Sequence, residues 1–304
     1  MTNGYTQGMG FVPPMSVTLD NIVTNVAASN LPSYNAATNY ALNAEIIDAQ
    51  RVIWRSMLDG NLGNDPATTT GKWQRIGVEN RLRMFDGSLK SITENPDLIE
   101  VTITTGRVVT DVQLMGVEAD SVQVLMHHQV HGMLYDSEER SMLRPSGNSH
   151  WGYFHVPLER LTKLHLWPLP AYTGGTVTIR IIRPAGVARC GEVILGRSIW
   201  LGNTYWRPAL GFDDWSLKKK DEWGSWQVRE GDFSERMKLQ VLVEGTEYGR
   251  VRDLVVPFRA KPVLWIGARG IDGLTTLGYI TSFELVPFAH GKSDCSMTIE
   301  GVEQ

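Results

Sequence analysis

Strict two-residue alternation is the feature that most constrains this chain. In Phe233-Ser-Glu-Arg-Met-Lys-Leu-Gln-Val-Leu-Val243 the residues Met237, Leu239, Val241 and Val243 share one face of an extended backbone. That period marks a strand with one buried side. Asp97-Leu-Ile-Glu-Val-Thr-Ile-Thr104 repeats it, with Ile99, Val101 and Ile103 inward and Glu100, Thr102 and Thr104 outward. Val109–Met115, Ser121–Met126, Leu161–Trp167 and Thr176–Ile182 carry the same pattern, and Gly174-Gly175 predicts a tight turn before the last of them. Many short alternating runs separated by turn residues predict a mainly β protein of antiparallel sandwiches.

The pattern divides the chain. Residues 1–35 are rich in Gly, Asn, Pro, Ser and Thr and are expected to form an N-terminal arm. Within it Leu19, Ile22, Val23 and Val26 are spaced for a short amphipathic helix near Asp20, too small to bury itself. Residues 36–200 hold the first set of strands and predict a jelly-roll-like β-sandwich. Residues 201–304 predict a smaller β-sandwich with one flanking helix. Residues 39–57 show no clear period, and residues 202–232 read as loop-rich. In the second region Tyr248, Val251, Leu254, Val255 and Phe258 lie on one helical face, Thr246 is placed to cap it and Pro257 to end it. Val263–Gly267, Leu274–Phe288 and Asp294–Gly301 predict the remaining strands.

Composition excludes some classes. A formal net charge of -4 over 304 residues does not point to a nucleic-acid partner. The run Lys218-Lys219-Lys220 is followed at once by Asp221 and Glu222 and reads as a solvated turn. The sequence shows no secretory-signal pattern and no apolar run of the ~18 residues that a membrane helix needs. Cys190 and Cys295 are expected to be reduced thiols. Most of the ten tryptophans are expected inside the sandwich cores.

Two passages carry a family resemblance. Lys72-Trp-Gln-Arg-Ile-Gly-Val-Glu-Asn-Arg-Leu-Arg-Met-Phe-Asp-Gly87 followed by Val108–Met126 resembles the galactose-binding-like jelly rolls of phage virion proteins. Gly191-Glu-Val-Ile-Leu-Gly196 with Phe233–Gly301 resembles the C-terminal domain of tailed-bacteriophage tail-tip and baseplate proteins. The resemblance implies a structural subunit without enzymatic activity or cofactor, assembled in the host cytoplasm into the virion tail. Its expected partners are copies of itself, other virion tail proteins and a host surface glycan, with no nucleic acid and no membrane insertion. The alternative function is a carbohydrate-binding module touching the host cell surface.

Candidate chemistry is sparse. His127-His-Gln-Val-His131 invites a metal reading, but on a strand only His127 and His131 would share a face, so an exposed strand end is expected. Asp59-Gly-Asn-Leu-Gly-Asn-Asp65 departs from the EF-hand spacing and reads as an Asn/Asp turn. Glu138 and Glu139 are adjacent, and on a strand they would point to opposite faces. There is no Gly-x-Ser-x-Gly, His-Glu-x-x-His or phosphate-binding glycine loop. Trp151, Tyr153 and His155 offer an aromatic platform that would suit a sugar ring, a subunit contact or a core.

Overall fold

The computed structural model describes residues 8–145, 151, 156–205, 208–245, 248–269, 271 and 273–303. In chain order the strands are β1 (Met9–Val12), β2 (Ile22–Thr24), β3 (Glu45–Ile47), β4 (Val52–Ser56), β5 (Trp73–Val78), β6 (Thr93–Thr104), β7 (Asp111–Met115) and β8 (Ser121–His128). They continue with β9 (Gly132–Asp136), β10 (Arg140–Ser141), β11 (Leu143–Pro145), β12 (Leu158–Arg160), β13 (Lys163–Leu166), β14 (Gly175–Cys190), β15 (Glu192–Gly196) and β16 (Ile199–Thr204). The last are β17 (Ala209–Asp214), β18 (Leu217–Lys220), β19 (Trp226–Arg229), β20 (Phe233–Glu244), β21 (Val263–Ile266), β22 (Thr275–Ala289) and β23 (Lys292–Glu303), with the helix α1 (Tyr248–Val255) between β20 and β21.

The first unit is a jelly-roll-like sandwich. One sheet runs β10-β8-β14-β6-β2 with β9 added to β8, and a three-stranded sheet, β13-β7-β15, covers it. β14 pairs antiparallel with β6 in a register that sets Ile179 beside Val101 and Ile181 beside Ile99. The inward residues of these strands meet Val112, Leu114, Val193 and Leu195 of the facing sheet in one core. The stretch without a clear period forms a small separate sheet, β3-β4-β5, whose core is Tyr40, Ile46 and Trp73.

The second unit is a single sheet in the order β16-β1-β21-β22-β23-β20-β17. β16 also pairs with β20, Asn203 beside Leu242, so the sheet closes and its halves face each other across a shared core. Met237, Leu239, Val241 and Val243 point into that core as their alternation predicts, beside Trp265, Met297 and Ile299. Val251 and Val255 of α1 pack onto the same core. Thr246 and the side chain of Tyr248 lie outside the described residues.

The two units share a buried seam. Every residue of β7, β15, β21 and β1 is buried, which requires cover on both faces of each strand. The second face is common: Met115 and Ile194 of the first unit pack against Val12, Leu264, Ile266 and Leu277 of the second. Ion pairs border the seam, with Lys163 bonded to Glu235 and Lys90 reaching Asp232 and Glu303.

Several expectations are corrected. From residue 8 onwards the N-terminal segment docks into both sheets rather than standing off as an arm. β1 lies between β16 and β21 in the closed sheet, because Met9 and Phe11 fill its core. Gly10 allows the close approach: a Cβ there would sit 2.8 Å from the Ile199 carbonyl oxygen and from the Trp200 ring. In place of a helix around Ile22, β2 pairs with β6, and the Asn25 amide binds the Leu98 carbonyl and the Glu100 N–H. A sheet edge that satisfies backbone groups outweighs a four-residue helical stripe. The region expected to be loops holds the strands β17, β18 and β19 between residues 209 and 229, and Lys218–Lys220 belong to β18 rather than to a turn. The tryptophans mostly avoid the cores: Trp73 and Trp265 are buried, whereas Trp151, Trp200, Trp215, Trp223 and Trp226 are exposed. Cys190 and Cys295 are free thiols in separate cores.

Candidate functional site

β17 and β20 form a hairpin that continues past the closed sheet into β18 and β19. β17 pairs with β20 from Ala209↔Lys238 to Asp214↔Phe233, and β18 pairs with β19 from Leu217↔Arg229 to Lys220↔Trp226. The tip is Asp221-Glu222-Trp223-Gly224-Ser225. The N–H groups of Trp223 and Ser225 donate to Asp221 Oδ1 at 3.0 and 2.7 Å, and Gly224 supplies the positive φ of 87° that the turn needs. The ladder displays apolar rings to solvent: Trp223 is 87% exposed, Phe212 66% and Trp226 64%, with Trp215, Leu217 and Val228 similarly open. Lys220 Nζ stands 5.5 Å from the Trp226 ring centre. Lys218 is bonded to Asp214 and Arg236 pairs with Asp213 at 2.8 Å, so charge compensation stiffens the stem.

A cleft of about 1430 Å³ opens where the two units meet, at the other end of β20. Trp200, Leu254 and Phe258 form part of its apolar wall, and Arg107, Arg197, Arg250 and Lys261 ring it. Glu244 is the sole carboxylate among the described lining residues. Among the described residues Arg107, Arg197 and Lys261 are engaged in no ion pair.

Beside the cleft a buried polar cluster bridges the units. Arg269, which follows β21, lies between the rings of Trp167 and Trp200, 4.1 Å from each centre. Its Nη2 donates to Asp111 Oδ1 at 2.8 Å and to Ser198 Oγ at 3.0 Å. Thr110 Oγ1 donates to Asp111 Oδ2 at 2.6 Å, and His165 Nε2 lies 3.2 Å from Oδ1. An ionised carboxylate only accepts, so Nε2 carries the proton. Burial pushes the Asp111 carboxyl up, but the hydrogen bonds of His165 and Thr110 and the Arg269 charge outweigh it and hold the group below the usual carboxylate range. Protein donors take both Asp111 oxygens while Arg269 Nε is buried without a hydrogen-bond partner, and the chemistry of the cluster is that of a clamp.

The remaining titratable groups also serve structure. Burial pushes Glu192 up to about 9, helped by Asp86 and opposed by the N–H of Gly87, which donates to it at 3.0 Å. Burial raises both thiols, Cys295 to about 12, so neither is an available nucleophile at neutral pH.

The residues singled out in the sequence fall in three places. His131 sits in the turn after β8, so it stacks on His128 at 4.8 Å rather than sharing a strand face with His127. Tyr172 adds a third ring, 5.4 Å from His131. The Asp59–Asp65 oxygens serve the turn itself: Lys72 Nζ donates to Asn64 Oδ1 and the Ala67 N–H to Asp65 Oδ1, both at 2.8 Å. Trp151 is 67% exposed, while Tyr153 and His155 lie outside the described residues. No three His, Cys, Asp or Glu side chains converge as a metal site among the described residues. Sequence reading missed the Arg269 clamp, whose parts are up to 158 residues apart. It noticed the tryptophans of 215–226 without the ladder that displays them. The signal was Leu217-Lys-Lys-Lys and Trp226-Gln-Val-Arg facing each other across Asp221–Ser225.

No family model matches the chain, and no curated protein matches it. Among solved structures it is similar to a chitosan-binding module of a chitosanase/glucanase from Paenibacillus sp. IK-5, at 11% identity over 38% of this chain and 84% of that one, with a TM-score of 0.27. The lectin domain of lectinolysin, complexed with Lewis B antigen, is similar at 15% identity over 39% of this chain and 84% of that one, also with a TM-score of 0.27. At that TM-score the likeness carries nothing about a ligand of this chain.

Proposed function

We propose that this chain is a structural subunit of a larger assembly, of the tail-tip or baseplate kind that its sequence resembles, and that it works by multimer formation rather than by catalysis. The observation that carries the reading is the exposed apolar hairpin. Monomeric proteins rarely leave contiguous apolar patches of more than a few hundred Å² open to water. Here Phe212, Trp215, Leu217, Trp223, Trp226 and Val228 are exposed along one stem, Trp226 and Val228 on one face of the β18–β19 ladder and Leu217 on the other. One tryptophan buries about 150–250 Å², so a few of these residues supply much of the ~800 Å² per partner of a stable interface. The buried seam supports the same reading, since a load-transmitting part needs units that do not swing. The test is mass against concentration, by sedimentation and native mass spectrometry. The full chain should form multimers at micromolar concentration, and a Trp223→Ser/Trp226→Ser variant should stay monomeric. A wild-type chain that remains a monomer throughout removes the reading.

The exposed Trp151 and the His128–His131–Tyr172 ring cluster favour glycan contact as a second reading. A glycan array probed with the full chain tests it, and an array with no bound sugar excludes it.

A further inference from the structure

The hairpin and the cleft lie at opposite ends of one strand. β20 starts at Phe233, where it leaves the hairpin, and ends at Glu244 in the cleft wall. Twelve residues of extended strand separate the two by roughly 36 Å. The hairpin tip projects further still from Phe233, so a chain cannot place its own tip in its own cleft.

The two surfaces are complementary. The tip presents Trp223 between the carboxylates of Asp221 and Glu222 on one side and Gly224 on the other. The cleft presents apolar walls, including Trp200, Leu254 and Phe258, under a rim of Arg107, Arg197, Arg250 and Lys261. A ring flanked by acids suits an apolar slot ringed by cations, because the indole loses water while each carboxylate keeps an ionic partner. The fixed seam holds the cleft open, since its walls come from both units.

We propose that the cleft receives the hairpin tip of a second copy of this chain. This rests on the assembly reading above and names its contact. The contact joins unlike surfaces at opposite ends, so each copy keeps one free tip and one free cleft. Such a head-to-tail interface propagates until it closes into a ring or extends as a filament.

Two full-length variants test it. Trp223→Ala removes the tip and leaves the cleft; Arg197→Glu/Lys261→Glu spoils the cleft and leaves the tip. Each alone is expected to weaken self-association at least tenfold, with melting temperatures like that of the wild type. Mixed together, they should form a one-to-one pair and stop, because the intact tip of one fits the intact cleft of the other and both remaining surfaces are disabled. Asp221 is left in place because it holds the turn; Glu222→Lys combined with Arg197→Glu/Lys261→Glu in one chain should restore assembly. If the cleft variant assembles like the wild type, the tip docks elsewhere: the inference falls while the assembly reading stands. If each variant is monomeric and the mixture yields no pair, the head-to-tail contact is likewise refuted. A wild-type chain that never associates removes both.

Discussion

Replacing Arg269 with methionine should weaken the protein more than almost any other single change at a position so near the surface. The guanidinium is the positive partner of a carboxylate with no exposed side-chain area, and its own side chain is 7% exposed. Stranding a buried charge by removing its partner costs about 3–5 kcal/mol. Asp111 keeps Thr110 and His165, which argues for the low end, about 3 kcal/mol. Two ring contacts at 4.1 Å add roughly 0.5–1 kcal/mol each, and the methionine recovers part of that through packing. The expected loss is about 3–4 kcal/mol out of the ~5–15 typical of a folded protein. Arg269→Lys keeps the charge without the planar stack and should lose about half as much. Urea unfolding of the three proteins at neutral pH measures this. The Asp111 pKa is depressed in the fold, so its contribution is present above the unfolded value and lost as pH falls through the folded one. The gap between wild type and Arg269→Met should therefore narrow below about pH 4. An Arg269→Met protein within ~1 kcal/mol of wild type at pH 7 would refute the clamp.

Three further outcomes are expected. Leu239→Asp places a charge in the second core, where Leu239 is 2% exposed; several kcal/mol should be lost, and a melting curve like the parent's would contradict the placement. Deleting residues 1–12 should open the closed sheet and expose the edges of β16 and β21, read as lost β signal and aggregation; a truncated chain that stays folded and soluble would show β1 to be dispensable. Glu192 is held protonated up to about 9, so the native state binds the extra proton above the unfolded pKa of ~4.3, and that site loses stability as pH rises towards the folded value. Glu192→Gln should therefore gain on wild type by up to about 1.36 kcal/mol per pH unit between pH 5 and pH 8, and a difference independent of pH would count against the assignment.

Much of the fold was legible because alternation reports one buried face directly. β6, β14 and β20 are long half-buried strands, and their inward residues lie where the two-residue period puts them. The seam was harder to see. Val193-Ile-Leu195 and Val263-Leu-Trp-Ile266 are continuous apolar runs, and such a run means a strand covered twice, but nothing local says what supplies the second cover. β1 was misread for a related reason: four residues beside two prolines have no periodicity to offer, and their place is set by partners near residues 200 and 265. The candidate site was legible only in fragments. Trp223 and Trp226 were visible as residues, but their exposure depends on a hairpin with no core beneath it. The rim cations come from four separate segments.

The position of β1 also bears on how the protein is made. Phe11 must pair with Ile199 and Trp265, so the whole jelly-roll unit is threaded between two neighbouring strands of the closed sheet. At ~5–20 residues per second, translation needs roughly ten seconds or more to pass from β1 to β16, and several seconds beyond that to reach β21. Until β16 emerges Met9, Phe11 and Val12 are a sticky strand with no neighbour in the sheet, and until β21 emerges they have β16 alone. The jelly-roll unit can fold in the meantime, and its Met115 and Ile194 offer Val12 a temporary foothold. Synthesis thus passes through a stage in which one half is finished and the other exists as a single stave, and slowing the ribosome between residues 200 and 265 would lengthen the period in which that stave can be captured by a chaperone or by another nascent chain.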